Sequence, residues 1–394
     1  MLLLSTIGSR GDVQPLVALA LSLRAHGTDA CFCVPPDFRS WIEDLGFAVT
    51  PIGPSLRSTA AVGTARPTPD QLAALARRSV ADQFAAVRAA AAGCDAIVGA
   101  TALQIAAPSV AEMLKIPYRF LVYCPIVLPP PSHSPAVQIP RPTNAMFGAP
   151  LNEHRATLGL PPIEDVQNHV LTADPWLACD PVLGPGPSGT WQPGAFVVPD
   201  ERPLAPELEQ FLAAGTAPVY FGLGSIRSPS ADLGFTMLAA ARAVGRRAVI
   251  SSGWTGLSAG DGPDCITIGE VNQRALFPRV AAVVHHGGAG TTTAAALAGV
   301  PQVVLPQVYD QPYWAARVTE LGVGVSVSDG GGGGGDDGGG LGVGVGVAVT
   351  ADSLAAALEQ ALEPGRQVAA RALAPQIRTD GADLAARRLR ELFQ

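Results

Sequence analysis

Lysine is almost missing: Lys115 is the only one in a chain whose Lys and Arg together number 26. The first strand-to-helix loop, SRGD, therefore lacks the lysine of a P-loop, and it does not carry the G-x-G-x-x-G dinucleotide fingerprint either. Charged residues make up only 15% and the net charge is −7, which weighs against nucleic acid or an anionic membrane surface as a partner. No D-x-D pair occurs, so a metal-bridged diphosphate is not expected. No window approaches the ~18 uninterrupted apolar residues of a membrane span, and MLLLS at the start has no basic flank. A cytoplasmic protein without stable membrane insertion is expected. The six cysteines form no C-x-x-C and sit mostly in apolar runs such as DACFCV and FLVYC, as buried reduced thiols do.

What is abundant is apolar material, 48% of 394 residues, enough for about two buried cores. Short β-like runs alternate with Ala/Leu-rich helical segments. Strands are predicted at 2–6, 30–34, 48–52, 96–99 and 119–123, with helices at 14–26, 38–45, 69–92 and 102–114. Apolar strands alternating with helices imply a parallel sheet covered on both faces. A Pro/Gly-dense stretch at about 180–206 suits a linker, after which the alternation restarts with strands at 219–223, 248–252, 265–268, 282–285 and 303–305 and a helix at 231–244. The expected architecture is α/β: two doubly wound domains, 1–200 and 207–394, facing across a cleft, with the last helix packing back on the first. The glycine run at 328–340 fits no element. It is flanked by LGVGV at 321–325 and again at 341–345, which reads as a duplication or junction rather than a phosphate loop.

Four loops carry residues suited to chemistry. In VVHHGGAGTTT a strand ends at His285 and a helix starts near Gly290 and Thr291. Unpaired amides of a helix's first turn, a bare backbone at Gly288, Ala289 and Gly290, and His286 as a further donor suit a phosphate or diphosphate. In the first loop, Ser9 and Arg10 can reach a second phosphate oxygen. Asp12 there reads as an N-cap, as a carboxylate placed to accept a proton, or as both. In YFGLGS, Ser225 follows a strand and can donate to a phosphate. In YDQPYW, Asp310 and Gln311 open a helix, with Asp310 as N-cap, and both suit sugar hydroxyls.

The segments GSRGDVQP, FGLGS, GEVNQRALFPRVAAVVHHGGAGTT and LPQVYDQPYWAARV together resemble the GT-B glycosyltransferases of natural-product biosynthesis, above all those acting on vancomycin-type glycopeptide aglycones. The resemblance covers nearly the whole chain apart from the glycine run. It implies inverting, metal-independent transfer of a sugar from a UDP- or dTDP-sugar to a hydroxyl of a large acceptor, an antibiotic aglycone, with no prosthetic group. It aligns Asp12 with the family's base. Diphosphate contacts fall on Ser9, Arg10, Ser225, His286, Gly288, Ala289, Gly290 and Thr291. Val271 would lie beside the nucleobase, and Asp310 and Gln311 beside the donor sugar. The acceptor would occupy loops near 55–67 and 129–147 of the first domain. Where plant relatives place a glutamate on the ribose, this chain has Ala294. Macrolide, sterol or lipid acceptors, a sugar-nucleotide 2-epimerase of the same plan, and a non-catalytic binding protein are the alternatives.

Overall fold

The structure is a computed structural model that describes residues 1–59, 68–101, 103–128, 144–224, 232–254, 256–327 and 349–393. Ser225, the glycine run, the second LGVGV, and the acceptor stretches 60–67 and 129–143 lie outside the described residues.

Among the described residues, twelve strands form two parallel six-stranded sheets. The first holds β1 (Leu2–Thr6), β2 (Ala30–Val34), β3 (Val49–Pro51), β4 (Ala96–Ala100), β5 (Tyr118–Val122) and β6 (Trp176–Leu177). The second holds β7 (Val219–Gly222), β8 (Ala248–Ser251), β9 (Cys265–Ile268), β10 (Ala282–His285), β11 (Gln302–Val304) and β12 (Gly324–Ser326). Their orders, β3-β2-β1-β4-β5-β6 and β12-β11-β10-β7-β8-β9, are the same doubly wound arrangement read from opposite edges. The central strands β1, β4, β7 and β10 are buried along their whole length, and because successive side chains point to opposite faces they feed a core on each side of the sheet. Leu3, Cys31, Cys33 and Ile97 enter one core, while Leu2, Leu4, Phe32 and Val98 enter the other. The second sheet divides likewise, with Val219 and Phe221 on one face and Tyr220, Val249 and Val283 on the opposite one.

Several elements differ from the sequence reading. The first helix runs Arg10–Ala25, starting well before residue 14. The helix expected from 102 begins at Ala107, because Thr101 takes a left-handed φ of 69° and Gln104 turns back to bond Ser5. The strands β6 and β12 are too short to show a period and were not predicted.

The halves are joined by packing as well as by chain. Between Leu177 and the helix Pro206–Ala213 there is no helix or strand. This stretch is pinned by Asp180, fully buried, whose carboxylate accepts from the amides of Val182 (2.8 Å), Leu183 (3.2 Å) and Arg378 (2.8 Å). The last helix, Gly381–Phe393, then crosses back: Ala382, Ala385 and Leu389 share a core with Val13 and Leu16, and His26 Nε2 meets Asp383 Oδ1 at 2.5 Å. Asp180→Ala takes the acceptor from three amides, that of Leu183 buried and those of Val182 and Arg378 part-buried, so a loss of ~2–3 kcal/mol is expected, read as a lowered denaturant midpoint. An unchanged midpoint would mean that these bonds do not hold the crossover.

Candidate functional site

Each sheet reverses its order once, between β1 and β4 in the first and between β7 and β10 in the second. Ligands of open α/β sheets bind beyond the carboxyl ends of the strands at such reversals. β1 runs into the turn and helix start that carry Ser9, Arg10 and Asp12, β7 into Gly224, and β10 into His286.

In the first loop Ser9, not Asp12, is the N-cap. Ser9 is extended (φ −78°, ψ −173°), and Asp12 sits at the third helical position, reaching back in a capping box. The Ser9 amide donates to Asp12 Oδ2 at 2.6 Å and its hydroxyl to the same oxygen at 3.2 Å. The expected N-cap role of Asp12 is thereby corrected: the helix begins earlier, since serine already satisfies its start. Both Ser9 bonds fall on Oδ2, which leaves Oδ1 as the oxygen not tied to Ser9. A Cβ on Gly8 would fall inside the radius of Asp12 Oδ2, so this carboxylate needs a glycine behind it. Tyr123 Oη donates to the Asp12 carbonyl at 3.1 Å. Burial, reinforced by the like charge of Asp310 and opposed by the Ser9 bonds, lifts the Asp12 carboxyl from 3.8 to about 7.

In the second half, Gly288 caps the helix Ala289–Leu297, whose first intrahelical bond is Thr292 N–H to the Gly288 carbonyl at 3.0 Å. The amides of Ala289, Gly290 and Thr291 therefore face out of the helix end. The hydroxyls of Thr292 and Thr293 bond back to Gly288 and Ala289 and are buried, so Thr291 is the partly exposed threonine of the run. The two histidines divide their work. His285 is wholly buried; its Nε2 pairs with Gln302 Oε1 at 2.9 Å and its Nδ1 accepts from the Gly287 amide at 3.1 Å, a structural role. His286 lies between two glycines. A Cβ at Gly288 would come within 2.5 Å of its Nε2, and one at Gly224 within 3.1 Å of its Cε1. Its Nδ1 is buried without a hydrogen-bond partner among the described residues. Burial lowers its pKa to about 4, so the free protein carries it neutral. A Cβ on Gly290 would meet no atom, so protein packing does not require glycine there.

Asp310 precedes the helix Gln311–Glu320 and accepts from Trp314 Nε1 at 2.8 Å, while burial raises its pKa. Gln311 is buried, and its Oε1 accepts from the amides of Gln307 (2.8 Å) and Val308 (3.0 Å). Tyr309, half-exposed beside them, holds φ +58°, strained for a non-glycine residue. Val271 follows β9 and packs with the core around Leu276 and Phe277. Arg10 is engaged: its Nη1 meets Glu270 Oε1 at 2.5 Å across the cleft, its Nε donates to Gln14 at 3.0 Å, and its guanidinium lies 4.5 Å from the Trp41 ring centre. With Nε and Nη1 engaged, a phosphate contact from Arg10 falls to Nη2 or displaces Glu270. The structure brings Asp12, Asp310 and the Arg10–Glu270 pair to one cleft.

Glu270, Trp41, Tyr123 and Tyr309 escaped the sequence reading, and so did Trp254. Trp254 follows Gly253 (φ +54°) after β8 and stacks on Phe38 of the first half at 6.0 Å. Only the Gly-Trp pair directly after a strand could have flagged it.

Comparison with known proteins bears on the fold and the family. Residues 2–127 match the glycosyltransferase family 28 N-terminal domain, and residues 248–332 match the C-terminal domain of erythromycin biosynthesis protein CIII-like proteins. Glycosyltransferase GtfE of Amycolatopsis orientalis is 45% identical, the alignment covering 98% of this chain and 95% of the relative. Vancomycin aglycone glucosyltransferase of the same organism is also 45% identical, over 98% and 96%. Its dTDP-epi-vancosaminyltransferase is 44% identical, over 92% and 90%. Among solved structures, the spinosyn forosaminyltransferase SpnP superposes with a TM-score of 0.72 at 19% identity, over 100% of this chain and 98% of that one. The glycosyltransferase VinC in complex with dTDP gives 0.68 at 22%, over 100% and 99%. These two share the fold. With near-full-length identity to the Amycolatopsis enzymes and two doubly wound sheets of the GT-B plan, the chain belongs to the glycosyltransferase family that includes vancomycin aglycone glucosyltransferase.

Proposed function

We propose that this enzyme moves a sugar from a dTDP- or UDP-sugar to a hydroxyl of a glycopeptide-antibiotic aglycone, with inversion and without a metal ion. The acceptor lies on the 1–200 side of the cleft and the nucleotide on the 207–394 side. The observation that carries the reading is Asp12: a carboxyl held by Ser9 at the first sheet's reversal, lifted to about 7, opposite Asp310 of the other half. A base poised near working pH combines the deprotonated form with useful proton affinity. The acceptor oxygen attacks the anomeric carbon and gives its proton to Asp12. The bond from that carbon to the diphosphate breaks on the opposite face, and the nucleoside diphosphate leaves with the electron pair. Charge growing on it faces the amides of Ala289, Gly290 and Thr291 with His286 beside them, the place a metal ion would otherwise take. The relatives named for an aglycone glucosyltransferase and a dTDP-sugar transferase support the acceptor class and the donor type.

Mass spectrometry and proton NMR of products from a panel of aglycones with dTDP- and UDP-sugars, in the presence of EDTA, test this. A glycosylated glycopeptide aglycone whose anomeric proton coupling shows inversion is expected. Release of a modified sugar nucleotide with no acceptor would make the chain an epimerase, and loss of product with EDTA would end the metal-independent reading. Within this mechanism Gly8→Ala pushes Asp12 out of place. Turnover is expected to fall at least ~10-fold, since small displacements of a reacting group are costly, with nucleotide affinity kept. Native turnover in that variant would mean that Asp12 tolerates the shift.

A further inference from the structure

The 3-10 turn Pro36–Phe38 after β2 is held from two sides. Asp37 bonds the chain at 55–57: its carboxylate accepts from Ser55 Oγ (2.8 Å), the Leu56 amide (2.7 Å) and the Arg57 amide (3.2 Å). The neighbouring Phe38 ring stacks on Trp254 of the other half, centroids 6.0 Å apart and planes inclined by 28°. Arg57 covers the same indole, its guanidinium 5.2 Å from the ring centre. Trp254 is tied in turn to the nucleotide side. Its amide donates to the Gly224 carbonyl at 3.2 Å, and a Cβ on Gly253 would come within 2.5 Å of that oxygen. Gly224 lies against His286. An unbroken run of contacts therefore leads from His286 through Gly224, Trp254 and Phe38 to Asp37 and the turn at 55–57.

We propose that Trp254 is a positioning residue: it transmits occupation of the nucleotide site to the acceptor-side turn at 55–57, so that bound donor steadies the turn for the acceptor. This rests on the donor and acceptor sites proposed above. A nucleoside diphosphate packed against His286 and Gly224 fixes the carbonyl on which the Trp254 amide hangs. The indole, in contact with both Phe38 and Arg57, then holds the turn.

Hydrogen exchange at the Leu56 and Arg57 amides, with dTDP or UDP as the probe, reads this without knowing the acceptor. In the native chain and in Trp254→Phe, which keeps an aromatic face, nucleotide is expected to slow their exchange ~10-fold, the scale of one aromatic and one cation–π contact. In Trp254→Ala that slowing disappears while dTDP affinity stays native. In turnover assays with an aglycone from the panel, Trp254→Ala raises acceptor KM ~10-fold with donor KM unchanged, and Trp254→Phe restores it. Equal protection in Trp254→Ala, or equal rises in both KM values, would overturn the proposal. If the native chain binds neither nucleotide, the donor-site reading fails and takes this proposal with it; if it binds them without protecting 55–57, only this proposal fails. Thermal unfolding of each variant separates a folding defect from a loss of coupling.

Discussion

Asp12→Asn is expected to bind dTDP or UDP as the native chain does and to lose ~10²–10⁴-fold in turnover, the usual contribution of a positioned base. Asparagine is isosteric and can still accept from the Ser9 amide that now meets Asp12 Oδ2 at 2.6 Å, so the helix start should survive. What disappears is the ability to take a proton. In the native chain, kcat/KM should rise with pH through about 7, where the buried carboxyl gives up its proton, and flatten above it. The variant should lack this limb. The same burial predicts a cost in stability. The folded-state pKa lies above the 3.8 of an ordinary Asp, so the folded chain holds this proton more tightly than the unfolded one. The associated stabilisation is complete below ~pH 4 and lost as pH rises through about 7. At pH 8 the asparagine variant should therefore unfold at a higher temperature than the native chain, and the difference should vanish in acid. A slower enzyme that is also a more stable one is the mark of a carboxylate kept for chemistry. Native turnover in Asp12→Asn would remove this residue from the base role.

Much of this was legible in the sequence, for physical reasons. Buried parallel strands need unbroken apolar runs, so LLLST, ACFCV and AVVH announced β1, β2 and β10. Glycine at a helix start leaves its own trace, and HHGGAG pointed to the second reversal because few other uses explain imidazole and bare backbone together. Capping was misread by a few residues: Ser9 and Asp12 are both good first-turn residues, and only the backbone angles decide which is outside the helix. Contacts across the cleft were not legible at all. Arg10 looks like an anion ligand in a loop, yet Glu270 that engages it is far away in sequence. The Phe38–Trp254 stack likewise joins residues that no local period connects. A sequence displays what each residue type is suited to; which partner claims it is decided by the meeting of two folded halves.

His286→Ala should be the second large effect, and its pattern matters more than its size. His286 stands beside the helix end whose amides at 289–291 have no intrahelical partner, with its Nε2 edge against Gly288. With its pKa near 4 it is neutral in the free protein. A diphosphate placed there favours the charged form, so its pKa should climb when dTDP binds and the ring should donate to the leaving group. Removing one such donor typically costs ~10²–10³-fold in turnover. A loss could also arise from packing, because the ring fills the space between Gly224 and Gly288. Thymidine separates the two accounts. If His286 acts on phosphate, the alanine variant loses affinity for dTDP and keeps that for thymidine; if it only fills space, both fall together. Gly288→Ala offers an independent approach to the same contact, since its methyl would land within 2.5 Å of Nε2 and force the ring aside. It should reproduce the dTDP-selective loss with the imidazole still present. Unaltered dTDP affinity in both variants would mean that the diphosphate lies elsewhere.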